Sequence, residues 1–270
     1  MSEQTFKKSI RHAFDEAAAG YDNTAMRFFD NSARYLVQSL PLKGEECILD
    51  VATGTGKIAL EAAKHLEVGH VTGVDMSEGM LARAREKAAA ADLKNISFQC
   101  ADVDNAGLPE KSFDGMCCGF GVHFWSDMEA SLLRLLPSLK SGSFVAISSF
   151  ANGSFEPQST LTLNRFKAYG VKLPDSYSWE RLDSAPKIAQ LFEKVGLKNL
   201  QTQQVPMGYM LKDALEWWDL IQYSGFRAFL NQLSPERAER FKAENLKEIG
   251  EAPSGLNLTV DVIFAMAYVR

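Results

Sequence analysis

The stretch Ile48-Leu49-Asp50-Val51-Ala52-Thr53-Gly54-Thr55-Gly56-Lys57 runs β-type apolar residues into two glycines that open the next segment. Glycine lets backbone approach a ligand closely, and N–H groups at a helix start point at whatever lies in front of them. About 20 residues on, Val71-Thr72-Gly73-Val74-Asp75 is a second such run that ends in a carboxylate. An acid there can accept from both hydroxyls of a nucleoside ribose. A third acid, Asp102, closes a third run, where it could accept from an adenine amino group while the Val103 N–H faces a ring nitrogen. Glycine turn, acid and acid at three successive strand ends point to an adenosine compound. The residues also carry plainer readings: Asp75 stands just before Ser77, a helix-capping type, and Asp102 is a common turn residue. Dinucleotide sites usually have three glycines in the turn. Here Ala52 replaces the first, and no catalytic pair for a nicotinamide follows.

The elements that must position these residues follow from hydrophobic periodicity. Residues 4–40 read as two helical segments that break at Gly20, and a Pro41–Gly44 turn ends the second. Strands are predicted at 47–51, 70–74, 95–100, 115–119 and 143–150, with helices at 57–66, 77–91 and 127–139 between them. Such alternation implies a parallel sheet covered by helices on both faces. Beyond it, 151–185 is broken by Ser, Pro and Gly around a helix near 160–169. A helix at 185–195 and a strand at 199–205 follow, then an aromatic-rich helical excursion at 211–249, and a last strand within 256–269 that re-enters the sheet.

Composition narrows the function. The 270 residues are 46% hydrophobic and 23% charged, values of a folded globular chain. A formal charge of −5 without a basic block offers no footprint for nucleic acid or anionic lipid. The longest apolar run, 262–269, falls far short of the roughly 18 residues of a membrane span, and the first residues show no apolar h-region and no small-residue cleavage site. A cytoplasmic protein with a small-molecule partner is expected. Cys47, Cys100, Cys117 and Cys118 lack the spacing of a metal site or disulfide framework and are read as buried thiols.

The stretches Asp50-Val51-Ala52-Thr53-Gly54-Thr55-Gly56 and Val74-Asp75-Met76-Ser77-Glu78-Gly79-Met80-Leu81 resemble class I S-adenosylmethionine-dependent methyltransferases. Within that class, the ubiquinone/menaquinone-biosynthesis methyltransferases and their small-molecule relatives are the group it resembles. Leu108-Pro109, Ser112-Phe113-Asp114, Gly119-Phe120-Gly121 and the approach to Gly142 extend the likeness, as do Phe14, Ala17 and Tyr21-Asp22 near the N-terminus. That group usually has Arg-Asn where His123-Phe124 stands, and the chain beyond Leu211 does not follow it. The resemblance implies an α/β fold: a doubly wound, Rossmann-like, mostly parallel seven-stranded sheet with an antiparallel last strand and a helical cap. The expected organisation is an N-terminal cap (1–40), a cofactor-binding core (41–150), and the rest of the sheet with cap insertions near 151–185 and 211–249. It further implies S-adenosyl-L-methionine as cofactor and S-adenosyl-L-homocysteine as product. Ala52, Gly54, Thr55 and Gly56 would wrap the methionine part and Asp75 the ribose. Met76 and Met80 would lie near adenine, with Asp102 and Val103 reading its edge. Gly119 and Phe120 would meet the methionine amine, and Tyr21 the carboxylate end.

By the same resemblance His123 falls where acceptor and methyl group meet. There it is read as a base or orienting group, as a polar wall of the pocket, or as a satisfied core residue; as a base it predicts turnover that rises through an ionisation in the imidazole range. Phe124, Trp125, Trp217 and Phe226 are assigned to an apolar acceptor pocket, although aromatics at helical spacing also pack a cap's own core. No metal is expected, and oligomeric state is left open. A nicotinamide-dependent oxidoreductase and a non-catalytic S-adenosylmethionine-binding protein are the alternatives. Replacing Asp75 with Ala removes a charge-assisted acceptor worth about 1.5–3 kcal/mol per bond. Titration calorimetry should therefore show affinity for S-adenosylmethionine falling roughly tenfold or more with the fold intact; unchanged affinity would remove the ribose assignment.

Overall fold

A computed structural model describes residues 3–270. Two N-terminal helices, α1 (Glu3–Ala17) and α2 (Arg27–Gln38), precede the first strand, joined by short 3-10 turns at Ala18–Gly20 and Thr24–Met26. There follow β1 (Cys47–Val51), α3 (Lys57–Ala63), β2 (His70–Asp75), α4 (Glu78–Ala90), β3 (Ile96–Cys100), β4 (Phe113–Gly119), α5 (Met128–Leu135) and β5 (Leu139–Phe150). The second half comprises α6 (Gln158–Ala168), α7 (Ala185–Lys194), β6 (Lys198–Pro206), β7 (Tyr209–Met210), α8 (Ala214–Tyr223), α9 (Arg227–Leu230), α10 (Pro235–Glu251), β8 (Asn257–Leu258) and β9 (Asp261–Tyr268).

Seven strands form one sheet in the order β3-β2-β1-β4-β5-β9-β6. The first five are mutually parallel, whereas β9 runs antiparallel between β5 and β6. The strand composition explains this order. Central β1 is buried from Ile48 to Val51, as suits a strand covered on both faces, while edge strand β6 exposes Lys198, Asn199 and a run of Gln and Thr. The sheet is therefore the doubly wound, mostly parallel one expected, with its antiparallel last strand.

Helix starts carry their own signals. Ser77 caps α4 through Met80 N, Asp127 caps α5 through Ala130 N, and Ser234 caps α10 with Pro235 at the first position. Several boundaries differ from the sequence reading. Strand β5 starts at Leu139 because its first residues pair with Phe113, and β7 with β8 forms a separate small hairpin-like sheet. That pairing spans the whole excursion, so no local pattern announces it. Cys117 and Cys118 are buried, but Cys47 is half-buried and Cys100 exposed, because β3 is an edge strand. Among the described residues no helix is long and apolar enough to cross a membrane.

The excursion α8–α10 packs with α6 and α1 above the strand ends. Its centre is Trp217, Phe166 and Phe241, all fully buried, with the two phenylalanine rings stacked at 4.3 Å. The Trp217 indole N–H donates to Thr162 Oγ1 at 2.9 Å, and Asn245 Nδ2 donates to the same oxygen at 3.1 Å.

Candidate functional site

Between the sheet and these helices lies a cavity of about 400 Å³. It opens at the carboxyl ends of β1, β2 and β4, where the strand order reverses. Doubly wound sheets bind ligands at such a reversal.

At its floor the turn after β1 brings Ala52, Gly54 and Gly56 into the left-handed region, with φ of 53°, 55° and 80°. Ala52 adopts this conformation at a cost of order 1 kcal/mol or more. The neighbouring Gly121 makes it possible: a Cβ there would stand 2.6 Å from the Ala52 Cβ. Asp50, buried beneath the turn, accepts from Thr53 Oγ1 (2.5 Å) and Ala59 N (3.1 Å). Its burial outweighs these bonds and pushes its carboxyl up to about 7. Asp75 accepts from Gly54 N (2.8 Å) and Ser77 N (2.9 Å) and borders the cavity. Ser77 is the N-cap of α4, and the Asp75 carboxylate holds its N–H while also lining the cavity. Removing the Asp75 carboxylate would strand two backbone donors, so Asp75→Ala carries a stability cost that the sequence reading did not include.

The N-terminal helices close the other side. Asp22 accepts from Thr55 Oγ1 (2.8 Å) and pairs with Lys57 and Lys87, both at 2.8 Å. Against the effect of its burial, the two ammonium groups hold its carboxyl below the usual range. Asp15 accepts from Ser77 Oγ at 2.6 Å and from Gly79 N at 3.1 Å. Lys7 bridges Asp102 (2.8 Å) and Asp104 (2.5 Å). Tyr21 borders the cavity stacked on Phe29 at 5.4 Å, and burial raises its hydroxyl above the ordinary range. Lys7 and Asp15 were missed in the sequence because their partners lie far along the chain.

Of the predicted cofactor residues, Tyr21, Ala52, Gly54, Asp75, Met76, Met80, Asp102, Val103, Gly119 and Phe120 line the one cavity. Thr55 and Gly56 do not. Thr55 turns its hydroxyl to Asp22, and Gly56 starts α3, where a Cβ would meet Ala84 Cβ at 3.0 Å. Of the predicted acceptor residues, Phe124, Trp125 and Phe226 line it, whereas Trp217 belongs to the core of the helical cap. Beyond Phe120 the cavity continues into an aromatic lobe with Phe150, Phe155, Tyr177 and Trp179, the last two stacked at 4.5 Å.

His123 lines the cavity from the loop whose Gly121 lies against Ala52, yet is only 3% exposed. Its ring leans on Phe124 at 4.4 Å and makes no hydrogen bond to another described residue. Burial, with the Arg181 cation adding to it, drives its pKa down to about 3. The imidazole is neutral, as a base requires, but the ionisation expected in the ordinary histidine range is displaced.

Comparison with known proteins decides the chemistry. Residues 48–142 match the family model described as a methyltransferase domain. Aklanonic acid methyltransferase DauC of Streptomyces sp. (strain C5) is 34% identical over 159 residues, which cover 57% of this chain and 72% of that relative. A ubiquinone/menaquinone biosynthesis C-methyltransferase, UbiE of Geotalea daltonii, is 30% identical over 221 residues, or 74% of this chain and 93% of its own. The chain belongs to the S-adenosylmethionine-dependent methyltransferases. The nicotinamide-dependent alternative finds no support in these relatives. The cyclase SpnF shares the fold, with a TM-score of 0.63 at 15% identity over 99% of this chain and 96% of its own. The fold alone therefore does not select the reaction. The residues of this methyltransferase fit the cofactor: Asp75 at the end of β2 and Asp102, which caps the 3-10 turn Val103–Asn105 just after β3, both line the cavity, and nothing lies within 4 Å of where a Gly54 Cβ would be.

Two buried groups give acid stability opposite signs. His123 takes up a proton near 6.5 when unfolded but only at about 3 when folded, so stability falls as pH drops from 6.5 toward 3. Asp50 is protonated at about 7 when folded and 3.8 when unfolded, so its contribution grows as pH falls through 7 and is complete below 3.8. Replacing His123 with Phe removes only the first effect. Urea melts should show the variant gaining on wild type by up to about 1.4 kcal/mol per pH unit between pH 6 and 4. A difference independent of pH would mean that His123 is not held neutral by burial.

Proposed function

We propose that this methyltransferase acts on a small, apolar, flat acceptor seated in the aromatic lobe, with neutral His123 as the polar group that meets it. The observation that carries this reading is the position of His123: a neutral imidazole without a hydrogen bond to another described residue, on the cavity wall in a loop that touches Ala52 through Gly121 and is held through its carbonyls by Arg181, two residues from Trp179. The names of the relatives, aklanonic acid and ubiquinone/menaquinone methyltransferases, agree with a small-molecule acceptor.

When bound, S-adenosylmethionine supplies an electrophilic methyl group with its leaving group built in. The chain supplies approach geometry and a dry chamber. Asp75 would accept from the ribose hydroxyls, Asp102 and the Val103 N–H would read the adenine edge, and Met76 and Met80 would lie near adenine. Ala52, Gly54 and the Gly119 carbonyl would hold the methionine part, with Tyr21 at its carboxylate end. Thr55 and Gly56 act from behind, through Asp22 and the start of α3. Tyr177, Trp179, Phe226 and Trp125 bound the acceptor on its apolar faces, and Phe124 supports the His123 ring.

A ring nitrogen of His123 accepts a hydrogen bond from the acceptor's hydroxyl or N–H and draws off positive charge as the nucleophile forms its new bond. A conjugate acid with a pKa of about 3 makes the ring a weak base, so orientation is its main contribution. A screen of phenols, hydroquinones and hydroxylated polycyclic aromatics with methyl-labelled cofactor should identify the acceptor. On that acceptor, His123→Ala should lower turnover about 10²-fold with cofactor affinity nearly unchanged. Wild-type turnover should show no inflection from His123 in the ordinary imidazole range. A variant that keeps most of its turnover, or a wild-type inflection near 6.5 that His123→Ala abolishes, would overturn the assignment.

A further inference from the structure

His123 lies in the 3-10 turn Val122–Phe124, whose last carbonyls have no partner within so short a helix. Arg181 supplies one. It sits on the 3-10 helix Ser178–Leu182, 58 residues from His123 in sequence. Its Nη1 donates to the carbonyls of His123 (3.0 Å) and Trp125 (2.5 Å), and Nη2 donates to that of Ser126 (3.3 Å). One planar fork thus gathers three carbonyls of the loop, an arrangement that a lysine ammonium cannot reproduce. The segment that carries Arg181 is itself anchored: Asn152 N donates to Asp183 O (2.9 Å), and Lys187 reaches both Glu180 O (2.6 Å) and the Asp183 carboxylate (2.8 Å). The same segment presents Tyr177 and Trp179 to the aromatic lobe.

We propose that Arg181 is the positioning residue of this methyltransferase, fixing His123 on the cavity wall and tying its place to the acceptor wall of Tyr177 and Trp179. The proposal rests on the role given to His123 above. Charge supports the geometry. Arg181 is the charged group facing the imidazole, Phe124 offers an apolar ring, and Asp127 at the start of α5 acts on Arg181. The Arg181 cation therefore disfavours protonated His123, while its hydrogen bonds hold the backbone from which the ring projects.

The test needs no acceptor. Nitrogen-15 NMR of the histidine rings in the full chain, with His123 assigned by its loss in His123→Ala, reads both position and protonation. Wild type should show one neutral tautomer that does not titrate above pH 4. In Arg181→Met the midpoint should rise by about one pH unit or more, and ring contacts with Phe124 should weaken. Arg181→Lys should keep the low midpoint yet lose the single ordered ring, and it serves where Arg181→Met lowers stability. A folded Arg181→Met protein with both signals unchanged would refute the positioning role. Turnover on the acceptor from the labelled screen separates the two ideas. With His123 catalytic, Arg181→Met should cost about 10–100-fold in kcat and little more in a His123→Ala background. Full additivity would again refute the positioning role. If His123→Ala keeps full turnover, the catalytic reading of His123 fails, and the NMR result still decides what Arg181 does to the ring.

Discussion

The site depends on the carboxylate of Asp75 at the end of β2. It accepts from Gly54 N in the turn after β1 and from Ser77 N at the start of α4, so one side chain sets the spacing of three elements. Ser77 then passes the connection on, since its hydroxyl caps Met80 N and donates to Asp15 on α1. Turn, strand, helix and N-terminal cover are joined in a single hydrogen-bonded chain. Burial raises the Asp75 carboxyl against the effect of those donors, so the group is held where desolvation is costly and further donors are favourable. Two ribose hydroxyls would be such donors, so the ligand-binding role proposed for Asp75 falls on the group that already ties these elements together.

A second constraint shapes the acceptor end. Ala52, Phe120 and Phe155 all take positive φ and all border the cavity, an investment of backbone strain concentrated at one place. Phe120 is turned by it to stack on Phe150 at 4.4 Å, extending the aromatic lobe. Burial, with the Arg181 cation adding to it, favours the neutral imidazole of His123, which lines the same cavity. The chamber therefore suits chemistry in which the cofactor carries the driving force and the protein holds two reactants in register.

How much of this was legible in the sequence depended on range. The strands that bear Asp50 and Asp75, and the one that ends two residues before Asp102, could be read because each is a local run with a local turn, and their alternation with helices is that of a doubly wound sheet. Most of the residues that line the cavity beyond those strand ends could be named with them. The pairing of Tyr209 with Leu258 and the bridges from Lys7 to Asp102 and from Arg181 to the His123 loop could not be read. Each joins segments separated by dozens of residues, with no pattern at either end. Trp217 and Phe226 looked alike in sequence, as aromatics in one helical excursion, and only packing separates the core residue from the cavity wall. The displaced ionisation of His123 was hidden for a related reason: its burial comes from segments far along the chain.

The central claim is that cofactor and acceptor share one chamber, with the adenosine at Asp75 and Asp102 and the sulfur end turned toward His123. A crystal structure of the complex with S-adenosylhomocysteine tests this most directly. The account predicts both ribose hydroxyls within about 3 Å of the Asp75 carboxylate, adenine beside Asp102 and Met76, and the sulfur facing the aromatic lobe. Adenosine stacked instead between Trp179 and Phe226, with Asp75 making no contact to the ligand, would contradict it.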